Sequence, residues 1–152
     1  MSVPVNPPTS RPQEPTVSRM LFVNLPVADV AASRAFFTGL GLSVNEAFSD
    51  ENTVSLVLND QCTIMLLNTP RFTDFIVGDI CDTSSAHEVL LAISADSRDE
   101  VDHLADTALA AGGSAWKDPQ DHGFMFGRSF RDIDGHVWEV VWMDPAAISG
   151  ES

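Results

Sequence analysis

In the segment RDIDGHVWEVVWMDP (131–145) a carboxylate interrupts a run of β-formers. Val137, Trp138, Val140, Val141 and Trp142 read as a buried strand, and Glu139 sits in its middle. Burying a carboxylate is costly unless it is paired, protonated, or used to hold a ligand or metal. Three resolutions are open here: an ion pair with Arg128 or Arg131 from the neighbouring strand region, protonation in an apolar pocket, or service to a ligand. Strand alternation sets Val137, Glu139, Val141 and Met143 on one face and Trp138, Val140 and Trp142 on the other. With the tryptophans packed on helices, Glu139 faces any cavity the sheet encloses. It is the best single candidate in the chain for proton transfer, hydrogen bonding or metal ligation.

The histidines offer less. His103 falls on the exposed side of an acidic helix, His136 adjoins a turn where a structural hydrogen bond suits it, and His87 opens a strand. His122, in the glycine-flanked loop PQDHGFMFG, is the one placed to touch a ligand. Asn24 and Arg128 are further polar groups able to orient one. Phe22 and Phe126, at alternating positions of strand segments, are candidates for an apolar lining, although such aromatics also build cores. There is no GxGxxG or other phosphate-binding loop, no G-x-S-x-G elbow, and no cysteine set beside a plausible base, which argues against covalent hydrolase chemistry.

These residues need elements to position them. RMLFVNLPV (19–27) reads as a strand, followed by a helix capped by Asp29 with Val30, Ser33, Phe36, Phe37 and Leu40 at helical spacing. Extended runs follow at 43–48, 53–58 and 62–67. Residues 68–86, with Pro70, Gly78 and DTSSA, read as an irregular connector. The plan then repeats: HEVLLAISA (87–95) as a strand, DSRDEVDHLADTALAAGG as a helix opening on a Ser97–Glu100 capping box, and SAWKD, FMFGRSF and HVWEVVWM as strands. The fold class is α+β, two βαβββ modules at 20–67 and 87–145, with a proline-rich tail at 1–19 and a short tail at 146–152. The repeat lies in element order rather than in residue identity.

The 152 residues carry 22 acidic against 8 basic side chains, a net charge of −14. That balance argues against nucleic acid and anionic membrane as partners and would attract a cationic small molecule, or simply keep the protein soluble. No apolar run approaches bilayer length, and the N-terminal stretch lacks the apolar core of a secretory signal. Cys62 and Cys81 show neither metal spacing nor a disulfide framework, so a reduced, cytoplasmic setting is the expectation.

The two-fold strand-helix-three-strand plan, with LPVADVAASRAFFTGLGL early and DIDGHVWEV late, resembles the vicinal oxygen chelate superfamily of glyoxalase I, fosfomycin- and bleomycin-resistance proteins and extradiol dioxygenases. The likeness covers about residues 20 to 144, and QDHGFMFGRSFRDIDGHVWEVVWMD looks especially like a bacterial lactoylglutathione lyase-like subgroup. The resemblance implies curled sheets around a concave ligand cavity, one helix per module on the convex face, and a homodimer in many members. It places metal ligands on the first and last strand of each module, which here are Phe22, Met65, Leu90 and Glu139. Only Glu139 is a competent ligand for Ni, Zn, Fe or Mn, and a catalytic divalent site generally needs about three protein ligands. The expectation is therefore a metal-free small-molecule binder using Phe22, Asn24, Met65, Leu90, His122, Phe126, Arg128 and Glu139. The alternatives are a glyoxalase-type lyase or dioxygenase-like enzyme with an atypical site including Glu139, and a non-catalytic scaffold.

Overall fold

The computed structural model describes residues 18–148; the tail segments 1–17 and 149–152 lie outside the described residues. The first module runs β1 (Leu21–Val27), α1 (Val30–Gly39), β2 (Ser43–Val44), β3 (Thr53–Asn59) and β4 (Cys62–Asn68). A helix, α2 (Thr69–Phe75), leads into the connector. The second module is β5 (Leu90–Ser94), α3 (Arg98–Ala110), β6 (Ser114–Ala115), β7 (Gln120–Asp121), β8 (Met125–Arg131) and β9 (Val137–Met143), with α4 (Pro145–Ile148) behind it. The sheets are ordered β1-β4-β3-β2 and β5-β9-β8-β6, with β7 also on β8. In each, the first strand runs parallel to the last, and the remaining pairings are antiparallel. The two-module α+β plan read from the sequence is the fold.

Local chemistry explains the element ends. Asp29 caps α1 by accepting from the Ala32 N–H at 3.1 Å, and Ser97 caps α3 by accepting from the Glu100 N–H at 3.0 Å. The Glu100 carboxylate reaches back to the Asp96 N–H at 2.6 Å, one residue earlier than a standard capping box. Three expectations need correction. The extended run 43–48 is strand only at 43–44, because the Asn45 side chain accepts from the Ala47 N–H and tips Glu46–Phe48 into a 3₁₀ turn. The connector is not irregular throughout. Asn68 caps α2 by accepting from the Arg71 N–H, and Pro70 sits in the first turn, where its missing N–H costs nothing. The strand expected at 87–95 spans only 90–94.

Both sheets turn one face toward a common core. Leu25, Val54, Leu56, Ile64 and Leu66 from the first sheet cluster with Val101 and Ala108 of α3 and with Phe130, Trp138 and Val140 from the second. The link is α1: the Phe37 ring lies 5.2 Å from Trp138 and Phe36 lies 6.3 Å from Phe130. Each such ring contributes about 1.5–3 kcal/mol by leaving water. With the helices between the sheets, the opposite face of each sheet is the open one.

The modules are also stapled by the DIDG turn. Asp134 accepts from the Ala28 N–H at 2.9 Å and the Ser33 hydroxyl at 3.1 Å, tying the turn to the start of α1. Asp132 accepts from the Trp138 indole N–H at 2.9 Å and from the His136 and Asp134 backbone N–H groups. The buried His136 ring stands between the Pro26 carbonyl, 2.7 Å from Nε2, and the Glu88 carboxylate, 2.6 Å from Nδ1. An acceptor thus faces each ring nitrogen, an arrangement that favours the doubly protonated imidazolium.

Candidate functional site

The cross-strand register fixes what each open face presents. In the first sheet one row reads Asn24–Met65–Ser55, flanked by Phe22–Thr63–Val57 and Pro26–Leu67–Thr53. The 3₁₀ turn and α2 lean over this face, and between them lies a groove of about 310 Å³. Its floor includes Asn24, Met65, Thr53 and Leu67, and its walls include Phe48, Asp50, Arg71 and Phe75. Phe22 is on the same face but outside this groove, with its ring about half exposed at 54%.

In the second sheet the rows are Leu90–Val137–Arg131, Ala92–Glu139–Ser129 and Ser94–Val141–Gly127. Glu139 is half-buried on the open face, as its parity with the buried Trp138 and Val140 requires. Among the described residues its carboxylate makes no hydrogen bond or ion pair. It lines a narrow recess of about 40 Å³ with Lys117, Gly127 and Ser129. Beside it, across Ala92, Ser94, Val141 and Met143, a larger and mostly apolar groove of about 520 Å³ runs to Asp96 and Pro145. Leu90 is half exposed on the same face.

The ion pairs considered for Glu139 are absent because both arginines are engaged elsewhere. Arg128 is on the helix side of β8, opposite Val140, and its Nη1 donates to Asp102 at 3.0 Å and Asp106 at 2.9 Å on α3. Arg131 donates to the Thr83 carbonyl at 2.8 Å. Phe126 shares the helix side with Arg128: it lies opposite Trp142, and the Arg98 guanidinium stacks over both rings at 5.1 and 5.3 Å. Phe126 thus lies away from the open face, while Arg128 sends its guanidinium to α3 yet borders the recess that Glu139 lines; the β8 positions on the Glu139 face are Met125, Gly127, Ser129 and Arg131. His122 is exposed on the β7–β8 turn, 6.4 Å from the Phe124 ring, and lines neither groove.

So of the eight candidates, Phe22, Asn24 and Met65 share one open face, Leu90 and Glu139 share the other, Arg128 borders the Glu139 recess from the helix side of β8, and His122 and Phe126 lie elsewhere. Residues that the sequence reading passed over, Phe48, Asp50, Thr53, Arg71 and Phe75, complete the first groove. The signal for the last two was present in Asn68 and Pro70, a helix start just after a strand. A buried electrostatic cluster sits away from both grooves. Burial would by itself push the His136 imidazole down, but Asp132, the Pro26 carbonyl and Glu88 outweigh it and hold the ring above its ordinary value. Burial pushes the Asp132 carboxyl up, partly offset by His136 and by its hydrogen bonds.

The donor set does not fit a divalent ion. The strand positions that would coordinate one hold phenyl, thioether and isobutyl groups at Phe22, Met65 and Leu90, and the neighbours directly across the parallel pairings are Asn24 and Ala92. Among the described residues no three His, Cys, Asp or Glu side chains are grouped to hold a metal.

Comparison with known proteins agrees with the geometry. The solved structures it resembles include a hypothetical protein from Staphylococcus aureus, with a TM-score of 0.70 and 24% identity over 80% of this chain and 92% of that one. Lactoylglutathione lyase from Agrobacterium tumefaciens matches with a TM-score of 0.60 and 16% identity over 84% and 96%. The fosfomycin resistance protein FosX from Listeria monocytogenes matches with a TM-score of 0.59 and 17% identity over 84% and 94%. No curated protein matches the sequence. Residues 19–140, both modules almost whole, match the family model described as Glyoxalase/Bleomycin resistance protein/Dioxygenase superfamily, and the chain belongs to that superfamily.

Proposed function

We propose that this protein binds an organic small molecule on the open faces of its sheets and does so without a divalent metal. The observation that carries the reading is the identity of Phe22, Met65 and Leu90 at three of the four strand positions where a metal-using site would coordinate, beside the groove of about 310 Å³ over Asn24 and Met65. That volume is within the ordinary range for ligand pockets, and the lining mixes apolar side chains (Phe48, Met65, Leu67, Phe75) with polar ones (Asn24, Ser49, Asp50, Thr53, Arg71). Glyoxalase-type lyase chemistry needs a Lewis acid beside the carboxylate, and among the described residues Glu139 belongs to no group of three His, Cys, Asp or Glu side chains, so the name carried by the Agrobacterium relative is not transferred.

The functional unit in this reading is a homodimer. The open faces that carry Phe22 and Leu90 point out of one shared core, and the outer strands β1 and β5 are each paired on one side only. A second copy would cover these strands and bring an Asn24–Met65 face toward a Glu139 face.

A thermal-shift screen of small organic compounds, run with and without a chelator, tests the reading. A compound present at 100 times its Kd raises apparent stability by about 2.7 kcal/mol. The expected result is a shift that chelator leaves unchanged and that substitution of Met65 by Arg abolishes. Shifts that vanish on chelation contradict the metal-free reading, and no shift from any compound supports the scaffold alternative instead.

A further inference from the structure

We infer that the groove over Asn24 and Met65 selects compounds that carry one acidic group on a flat apolar body, with Arg71 as the residue that recognises the acid. This inference rests on the small-molecule reading above and goes beyond it in naming the ligand class, which is opposite in charge to the cationic compound that the net charge suggests.

The first observation is where the arginines of this chain direct their charge. With 22 acidic residues against 8 basic ones, a described guanidinium is readily supplied with a partner. Arg34 pairs with Glu46, Arg98 with Asp121, Arg128 with Asp102 and Asp106, and Arg131 donates to the Thr83 carbonyl. The exposed Arg19, at the start of the described chain, has no partner among the described residues and lines none of the grooves. The guanidinium of Arg71 makes no hydrogen bond or ion pair among the described residues, and it lines a groove. It is also pre-positioned. Asn68 fixes the first turn of α2, and the Arg71 Cζ stands 5.4 Å from the centroid of the Phe75 ring one helical turn on. Stacking on a ring leaves the edge of the guanidinium, with its fork of N–H donors, free for a carboxylate or phosphonate.

The second observation is the rest of the lining. Phe48 and Phe75 are exposed at 69% and 65% and stand on the two sides of the groove, from the 3₁₀ turn and from α2. Met65 supplies a soft apolar floor, and the Asn24 amide, with no side-chain partner among the described residues, offers a donor and an acceptor beside it. One anion is in the groove already: Asp50, whose carboxylate accepts from the Asn52 N–H at 2.8 Å. It forms no ion pair with Arg71 although both line the same groove. Asp50 admits a single acidic group at the Arg71 end and disfavours a second, so the class is monoacidic.

The test is a titration of the full chain, followed by backbone amide NMR shifts, with three probes of matched shape: 3-phenylpropionate, 3-phenylpropanamide and 3-phenylpropylamine. The expected result is binding of the acid about five-fold or more tighter than the amide, with shifts at Asn24, Thr53 and Met65. The preference should be lost in Arg71→Gln, partly kept in Arg71→Lys, and weakened by salt. Equal binding of acid and amide at those residues, or a preference that survives Arg71→Gln, overturns the inference and leaves the small-molecule reading standing. Tighter binding of the amine overturns it in favour of a cation. Failure of all three probes to bind overturns it together with a groove-based reading of this face.

Discussion

Single residues carry the sharpest contrasts in this molecule. Glu139 is a carboxylate with no partner among the described residues on a strand that is otherwise apolar, whereas His136 is a buried ring with an acceptor on each nitrogen. Their substitutions should behave oppositely. Glu139→Gln breaks no contact, so unfolding free energy should change by less than about 0.5 kcal/mol, checked by urea denaturation; a loss of about 2 kcal/mol or more would show that the side chain is structurally engaged. His136→Gln removes the charge facing Asp132 and the hydrogen bond to the partly exposed Glu88, while Asp132 keeps its other donors, and should cost about 1–3 kcal/mol. The pH dependence has a definite sign. A ring held above the ordinary histidine value of 6.5 contributes stability that is full below that pH and is lost as pH rises through its folded-state value. The raised Asp132 carboxyl acts in the same direction at lower pH. Urea midpoints should therefore fall as pH rises past the ordinary histidine value of 6.5, and Glu88→Gln should flatten that fall, since it removes one of the groups that favour the imidazolium. The face of Glu139 was legible because Trp138 and Trp142 fixed the parity of β9. The face of β8 was not, since Phe126, Arg128 and Phe130 alternate as plausibly toward a cavity as toward a helix. What decided it was long-range: Asp102 and Asp106, one turn apart on α3, draw Arg128 to the helix side.

Among the elements, those governed by local chemistry were readable. Asp29 and Ser97 cap their helices as their types demand, and Val30, Ser33, Phe36 and Phe37 are buried at the spacing that the sequence shows. Helix α2 escaped notice because Pro70 reads as a breaker unless the helix starts just before it. The short strand β7 depends on β8, which no local pattern announces, whereas the 3₁₀ turn after β2 had a local signal in Asn45 that an extended reading of 43–48 overrode. The connector does more than join modules. Thr83 donates to the Asp134 carbonyl at 2.6 Å and accepts from Arg131 through its own carbonyl, strapping residues near 83 over the DIDG turn. Gly135 lies under that strap with φ of 84°, and a Cβ there would come within 2.5 Å of the Thr83 hydroxyl oxygen. Gly135→Ala should then cost about 1–3 kcal/mol from backbone strain and the displaced strap, measured as a lowered urea midpoint.

At the scale of the whole molecule, two modules share one core and present two separate open faces. The two-module plan was visible in element order, but the outward direction of the faces was not, since it follows from Phe36 and Phe37 of α1 meeting Phe130 and Trp138 across the modules. No helix among the described residues is long and apolar enough to cross a membrane. If the homodimer is the binding unit, two chains of net charge −14 each must approach, so light scattering should show the dimer strengthened as salt screens that repulsion. Conditions or substitutions that dissociate it should abolish ligand binding, and a monomer that binds as tightly as the dimer would refute the shared site. The central claim is that Phe22, Met65 and Leu90 leave Glu139 without co-ligands. Elemental analysis of protein purified without chelator tests it directly. The account predicts far less than one equivalent of nickel, zinc, iron or manganese per chain; one equivalent, lost on Glu139→Gln, would contradict it.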